Sequence, residues 1–164
     1  MSSTTLSVER IGLSAEQIER NRRTAVRHTE AMVNGDVATL DDLLAGGWVN
    51  HPIDFHEGPG PEGFKRKAAW LHEHFAFRFD HQDVSADDDK IWIRSLVTGE
   101  VRGEFMGHDL AGRPVAFTTM ECHRFEDGKI VESWHLQDYY AMLVQVGAIP
   151  NVMSRDIEPY QGWM

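Results

Sequence analysis

Cysteine is nearly absent from this chain: Cys122 stands alone among 164 residues. An internal disulfide is therefore excluded, which fits a reducing compartment. Positive charge is also in short supply, with 16 Lys and Arg against 26 Asp and Glu, a net charge of −10. Phosphate recognition needs clustered cations, so neither nucleic acid nor an anionic membrane surface is an expected partner. No apolar run approaches the ~18–20 residues of a membrane span. The opening MSSTTLSVERIG lacks the apolar stretch of a secretory signal, so a cytoplasmic location is expected. The glycine fingerprints of dinucleotide and triphosphate sites are missing, as are G-x-S-x-G and internal repeats. What is present is ordinary for one globular domain, with 41% hydrophobic and 26% charged residues. A chain of this size buries roughly 70% of its unfolded surface.

The pattern predicts a domain over 14–149, with a loose arm at 1–13 and an extension at 150–164. Ser14 and Gln17 form a capping box, and Asn34-Gly35 ends a helix over 15–34. A short helix fits 36–45, stopped by Gly46-Gly47, and WVNHP at 48–52 reads as a short strand. After a Gly- and Pro-rich loop, a helix over 61–75 begins near Pro61. The apolar period then changes from 3.6 to 2. Strands are expected at 75–84 and 90–106, and as a hairpin of 114–125 with 129–138 across Asp127-Gly128. A short helix or turn falls within 136–149. Helices followed by antiparallel strands make an α+β fold, a cone-shaped curved sheet packed on N-terminal helices. Its apolar interior suits a small molecule.

The hairpin FEDGKIVESWHLQD at 125–138 holds the most chemistry. A regular two-residue turn pairs residues whose numbers sum to 255. Glu121, His123, Glu132, Trp134 and Asp138 then share one face. The opposite face, with Met120, Cys122, Arg124 and His135, is no more clearly apolar, so the pattern leaves the inside face open. His123 and Asp138 would lie about 20 Å apart along the hairpin, too far for direct partnership. Elsewhere the structural reading is the default. His72 and His74 diverge on a helix, and Asp87–Asp89 form a solvated turn. Glu104 and His108 flank a strand end, and no spacing matches a metal site around His51 or His56. Cys122 reads as a buried thiol.

In combination, VNHP (49–52), GPEGFK (60–65), RGEFMG (102–107), GRPV (112–115), RFEDGKIVESW (124–134), Asp138 and LVQVG (143–147) resemble the SnoaL-like polyketide cyclase (ester cyclase) family. That family belongs to the nuclear-transport-factor-2-like superfamily. The resemblance implies a deep pocket, a homo-oligomer (dimer or tetramer), and no metal or organic cofactor. It implies acid/base catalysis of an intramolecular aldol closure on a polyketide ester or related small apolar carbonyl compound. It assigns the acid/base to Asp138, an assisting role to His123, and substrate oxygens to Asn50. It also turns the face of Trp134 and Asp138 into the pocket. Glu121 would raise the Asp138 pKa, His51 would join Asn50 at the oxyanion, and Phe64, Trp70 and Phe105 would wall the substrate with His108 nearby. The chain departs from the family at Val101, where a histidine is common, and at LAG (110–112). The same fold also serves isomerases, dehydratases, hydrolases and non-catalytic ligand-binding modules.

Overall fold

The computed structural model describes residues 13–54 and 57–152. The expected arm up to residue 12, the extension beyond residue 152, and His56 lie outside the described residues. Helix α1 spans Ala15–Asn34, closed by both bonds of the Ser14–Gln17 capping box and by left-handed Gly35. Helix α2 (Val37–Leu43) is capped by Asp36. Strand β1 (Leu44–His51) begins four residues earlier than the sequence suggests. The reason is local: Gly46 and Gly47 do not stop a helix but sit where the register of β1 slips, between Leu44 and Val49. Helix α3 is Gly60–His74, with Pro61 in its first turn.

Strands β2 (Phe75–Asp87) and β3 (Lys90–Val101) follow. The expected continuation of β3 to residue 106 breaks after Val101. Its remainder forms a small separate ladder, β4 (Glu104–Phe105) with β5 (His108–Asp109), turning at Met106-Gly107 with both φ positive. The predicted hairpin is β6 (Pro114–Glu126) and β7 (Lys129–Gln137), and α4 is Tyr139–Gln145.

The main sheet has the order β1-β7-β6-β3-β2. Its neighbours are antiparallel except β1, which lies parallel to β7. The α+β class is as expected, with a mixed sheet that stays open rather than closing into a barrel. Helices α1 and α3 pack together, and both contact the sheet. One apolar cluster joins Ala25 and Met32 of α1 and Phe64 of α3 to Ile91, Ile93 and Ile130. The other gathers Phe75, Val97, Phe105 and Phe117 under Met142 and Leu143 of α4. Among the described residues no helix is long and apolar enough to cross a membrane.

One residue changes the reading of the hairpin. Glu126 pairs Lys129 and Phe125 pairs Ile130, as expected, but Arg124 then pairs Glu132, so Val131 is an extra residue. Beyond this bulge the pairs are His123–Ser133, Cys122–Trp134, Glu121–His135 and Thr119–Gln137. The bulge reconciles two demands: Ile130 and Ser133 are both buried, yet they are an odd number apart. The expectation that Trp134 shares a face with Glu121 and His123 is therefore corrected. Trp134 faces away from the helices, and Ser133, His135 and Gln137 take its place inside.

Candidate active site

The inner face of the β6–β7 pair carries a ladder of polar residues in an otherwise apolar interior: Thr119–Gln137, Glu121–His135 and His123–Ser133. Helix α1 lays His28, Thr29 and Met32 over it, and α3 adds Phe64, Lys67 and Leu71. Two adjoining chambers with part of their lining in common result. The larger is mostly apolar, walled by Phe75, Phe77, Phe79, Phe117, Leu71 and Tyr139. The smaller is lined mainly by polar residues, among them His28, Asn50, His123, Ser133 and His135. Met32, Lys67, Glu121 and Gln137 line both and mark the junction.

Glu121 is the central group. It is 5% exposed, and its Oε2 accepts the Thr29 hydroxyl at 3.0 Å. The same oxygen lies 3.7 Å from Nε2 of His123, longer than a hydrogen bond. Burial pushes the Glu121 carboxyl up. His123 and, in smaller part, His28 and Thr29 outweigh it and bring the pKa to about 2. Glu121 is thus a buried, ionised carboxylate. His123 is oriented from behind: its Nδ1 meets Ser133 Oγ at 2.8 Å, and Trp48 Nε1 donates to the same oxygen at 2.9 Å. An indole can only donate, so the serine proton is available to Nδ1, and Nε2–H points toward Glu121.

His28 stacks on Phe64 at 5.0 Å and meets the His123 ring edge-on at 4.7 Å. Burial above all, with His123 next, lowers its pKa to about 3, so it is a neutral imidazole. Lys67, only 3% exposed, is held by Asp54 at 2.9 Å and Glu57 at 3.3 Å. Asn50 donates to both oxygens of Glu57, at 3.0 and 3.1 Å, which closes this network at the wall of the polar chamber. His135 donates from Nε2 to the Pro52 carbonyl at 3.0 Å, and its Nδ1 then accepts from Gln137 Nε2 at 2.8 Å. Tyr139 is partly buried, and burial raises its phenol well above the usual range, so it stays protonated.

Of the residues expected in the site, Glu121, His123, Asn50 and Phe64 converge on the polar chamber. Phe105 is one layer back, edge-on to Phe75 and Tyr139. Trp70 stacks on His74 and meets Phe75 edge-on. His108 pairs Phe105 in the small ladder. His51 and Trp134 stack on each other at 5.6 Å on the outer face, with His51 Nε2 2.9 Å from Glu132. Asp138 is exposed, and its Oδ1 accepts the Ala141 N–H at 2.9 Å as the N-cap of α4. His28, Thr29, Lys67, Thr119, His135 and Gln137 were not anticipated. For His28, Thr29 and Lys67 the signal was a polar residue on an apolar stripe: 25, 28, 29 and 32 of α1, and 64, 67, 68 and 71 of α3, each follow i, i+3, i+4, i+7.

A model of the SnoaL-like polyketide cyclase family matches residues 23–146. The chain belongs to that family. Among solved SnoaL-like structures, IdmH from Streptomyces antibioticus, a proposed polyketide cyclase, is 32% identical with a TM-score of 0.67, over 77% of this chain and 98% of that one. TsrD from Streptomyces laurentii is 21% identical with a TM-score of 0.70, over 84% of this chain and 99% of that one. An LEH-like epoxide hydrolase of M. tuberculosis shares the fold at 16% identity and a TM-score of 0.63, over 80% of this chain and 92% of that one. Comparison with curated proteins finds no match. Family membership thus carries an expectation of cyclase or related enzymatic activity, on a fold that also holds other chemistry.

Proposed function

We propose that this SnoaL-like protein closes a ring by an intramolecular aldol reaction on a polyketide ester or a related small apolar carbonyl compound, with Glu121 as the acid/base. One observation carries the reading: a buried carboxylate stands where an apolar chamber meets a polar one. The Glu121 carboxylate removes a proton from a carbon between two carbonyls. The enolate carbon attacks a ketone carbon of the same molecule, the new C–C bond forms, and the ketone π electrons become an alkoxide. Glu121 returns its proton to that alkoxide. Atoms and charge balance, and one carboxylate serves as base and then as acid.

A carboxylate with a low pKa is a weak base in water. Three features work in its favour: it is in the ionised form, its substrate C–H is acidic, and a substrate filling the chambers displaces water from around it. General acid/base action of this kind contributes roughly 10²–10⁴-fold. Holding a flexible chain in a near-attack shape against Phe75, Phe77 and Phe117 contributes further. The resemblance points instead to Asp138. Its exposed position and its use as a helix cap favour Glu121.

The test uses methyl esters of aryl-terminated polyketo acids of graded length, with ring closure followed by chromatography and C–H exchange in D₂O by mass. Glu121→Gln is expected to lose closure and exchange by on the order of a hundredfold, with its circular dichroism spectrum unchanged. Asp138→Asn keeps a capping side chain and should change either rate less than about threefold. The reverse pattern would return the role to Asp138. A wild-type chain that neither exchanges nor cyclises any ester of the series sinks the proposal.

A further inference from the structure

Thr119 has no part in the chemistry described so far, yet it is the most conspicuous polar group in the larger chamber. It is 1% exposed, and among the described residues its Oγ1 has no hydrogen-bond partner. It lines a chamber whose other walls are chiefly Phe75, Phe77, Phe79 and Phe117. Buried hydroxyls are almost always bonded, and one that is not needs an explanation. Its cross-strand neighbour Gln137 bonds His135 instead.

We infer that the Thr119 hydroxyl is a second oxygen-binding point of the cavity, which takes the electrophilic ketone of the substrate and stabilises the alkoxide formed on it. The inference rests on Glu121 as the base. Thr119 and Glu121 are two apart on one face of β6, about 7 Å along the strand. Ring closure needs a similar span. The acidic carbon sits roughly 3 Å from the base oxygen and a similar distance from the ketone carbon, whose oxygen lies about 2.8 Å from a donor. The hydroxyl donates to the ketone oxygen, and the bond strengthens as that oxygen gains charge.

The placement also orients the substrate. The carbon between two carbonyls lies toward the polar chamber of His28, Asn50 and His135. The ketone that is attacked lies toward the phenylalanines, attached to the apolar part of the molecule. The ligand class is therefore a 1,3-dicarbonyl head joined through a ketone to an aryl or alkyl body.

Thr119→Val removes the hydroxyl and keeps the shape, and Thr119→Ser restores it. With the aryl-terminated ester that wild type cyclises, Thr119→Val should slow ring closure roughly 10–100-fold. Exchange of the dicarbonyl proton in D₂O, which depends on Glu121, should stay within about twofold, because proton removal precedes the ketone step. Thr119→Ser should recover most of the closure rate. Closure at the wild-type rate in Thr119→Val overturns the inference. So does a parallel loss of exchange and closure, or a serine variant as slow as the valine one. Persistent exchange in Glu121→Gln would instead remove the base assignment, a separate failure.

Discussion

His28 shows how much one side chain can say about a buried site. It occupies a position of α1 where the apolar stripe calls for leucine, and burial lowers its pKa from 6.5 to about 3. The unfolded chain therefore binds a proton there that the folded chain does not, across roughly pH 6.5 to 3. Stability from this group is complete above about pH 6.5 and is lost as pH falls through that window. Glu121, with a folded pKa of about 2 against 4.5, adds a loss in the same direction at the acid end. A thermal melting series should show Tm falling steadily from pH 7 to pH 4. His28→Gln, which cannot charge, should flatten the upper part of that fall, a difference on the order of a few kcal/mol since one pKa unit is about 1.4 kcal/mol. Equal slopes for the two proteins would refute a neutral buried imidazole. Cys122, by contrast, was legible: it is buried, and burial pushes its thiol up to about 11, so it is an unreactive buried thiol.

The elements were readable to the extent that their signals were local. The Ser14–Gln17 box and Gly35 delimit α1 as expected, and Asp127-Gly128 turns the hairpin with both φ positive. The bulge at Val131 was not readable. A single inserted residue leaves the alternation on either side intact, and only pairing with Arg124 and with β1 shows which half has changed face. The pairing of β2 with β3 depends on another local feature. Gly99 has φ of 149°, and a Cβ there would lie 2.0 Å from the Ala76 carbonyl oxygen. Gly99→Ala must push β2 and β3 apart beside Phe77, and should cost on the order of 2 kcal/mol or more, read as a lower urea midpoint. It should also slow turnover, since Phe77 walls the apolar chamber. An unchanged midpoint would show that the strand pair adapts without strain.

At the scale of the whole molecule, the outer sheet face is the feature the site does not use. Val49, Trp92, Met120 and Leu136 are 46%, 43%, 41% and 71% exposed there, beside the half-buried Trp134. Lys90, Arg94, Arg124, Asp83 and Glu132 share this face, so both signs are present for self-complementary pairing across a twofold axis. We propose that a second copy of the chain covers it. Light scattering should give a dimer or higher oligomer, and Met120→Asp with Leu136→Asp should give a monomer that remains folded. A wild-type monomer at micromolar concentration would remove the proposal. By itself the sequence determined the α+β order, the helix caps, the hairpin turn and the lack of disulfides, because each depends on neighbours within a few residues. Tertiary structure alone decided which face of β7 looks inward and which polar groups meet. Thr29 and Glu121 are bonded across 92 positions, and Trp48 and Ser133 across 85. No local pattern encodes such a contact: it exists only once α1 and β1 have packed on the β6–β7 pair and the bulge has set its register.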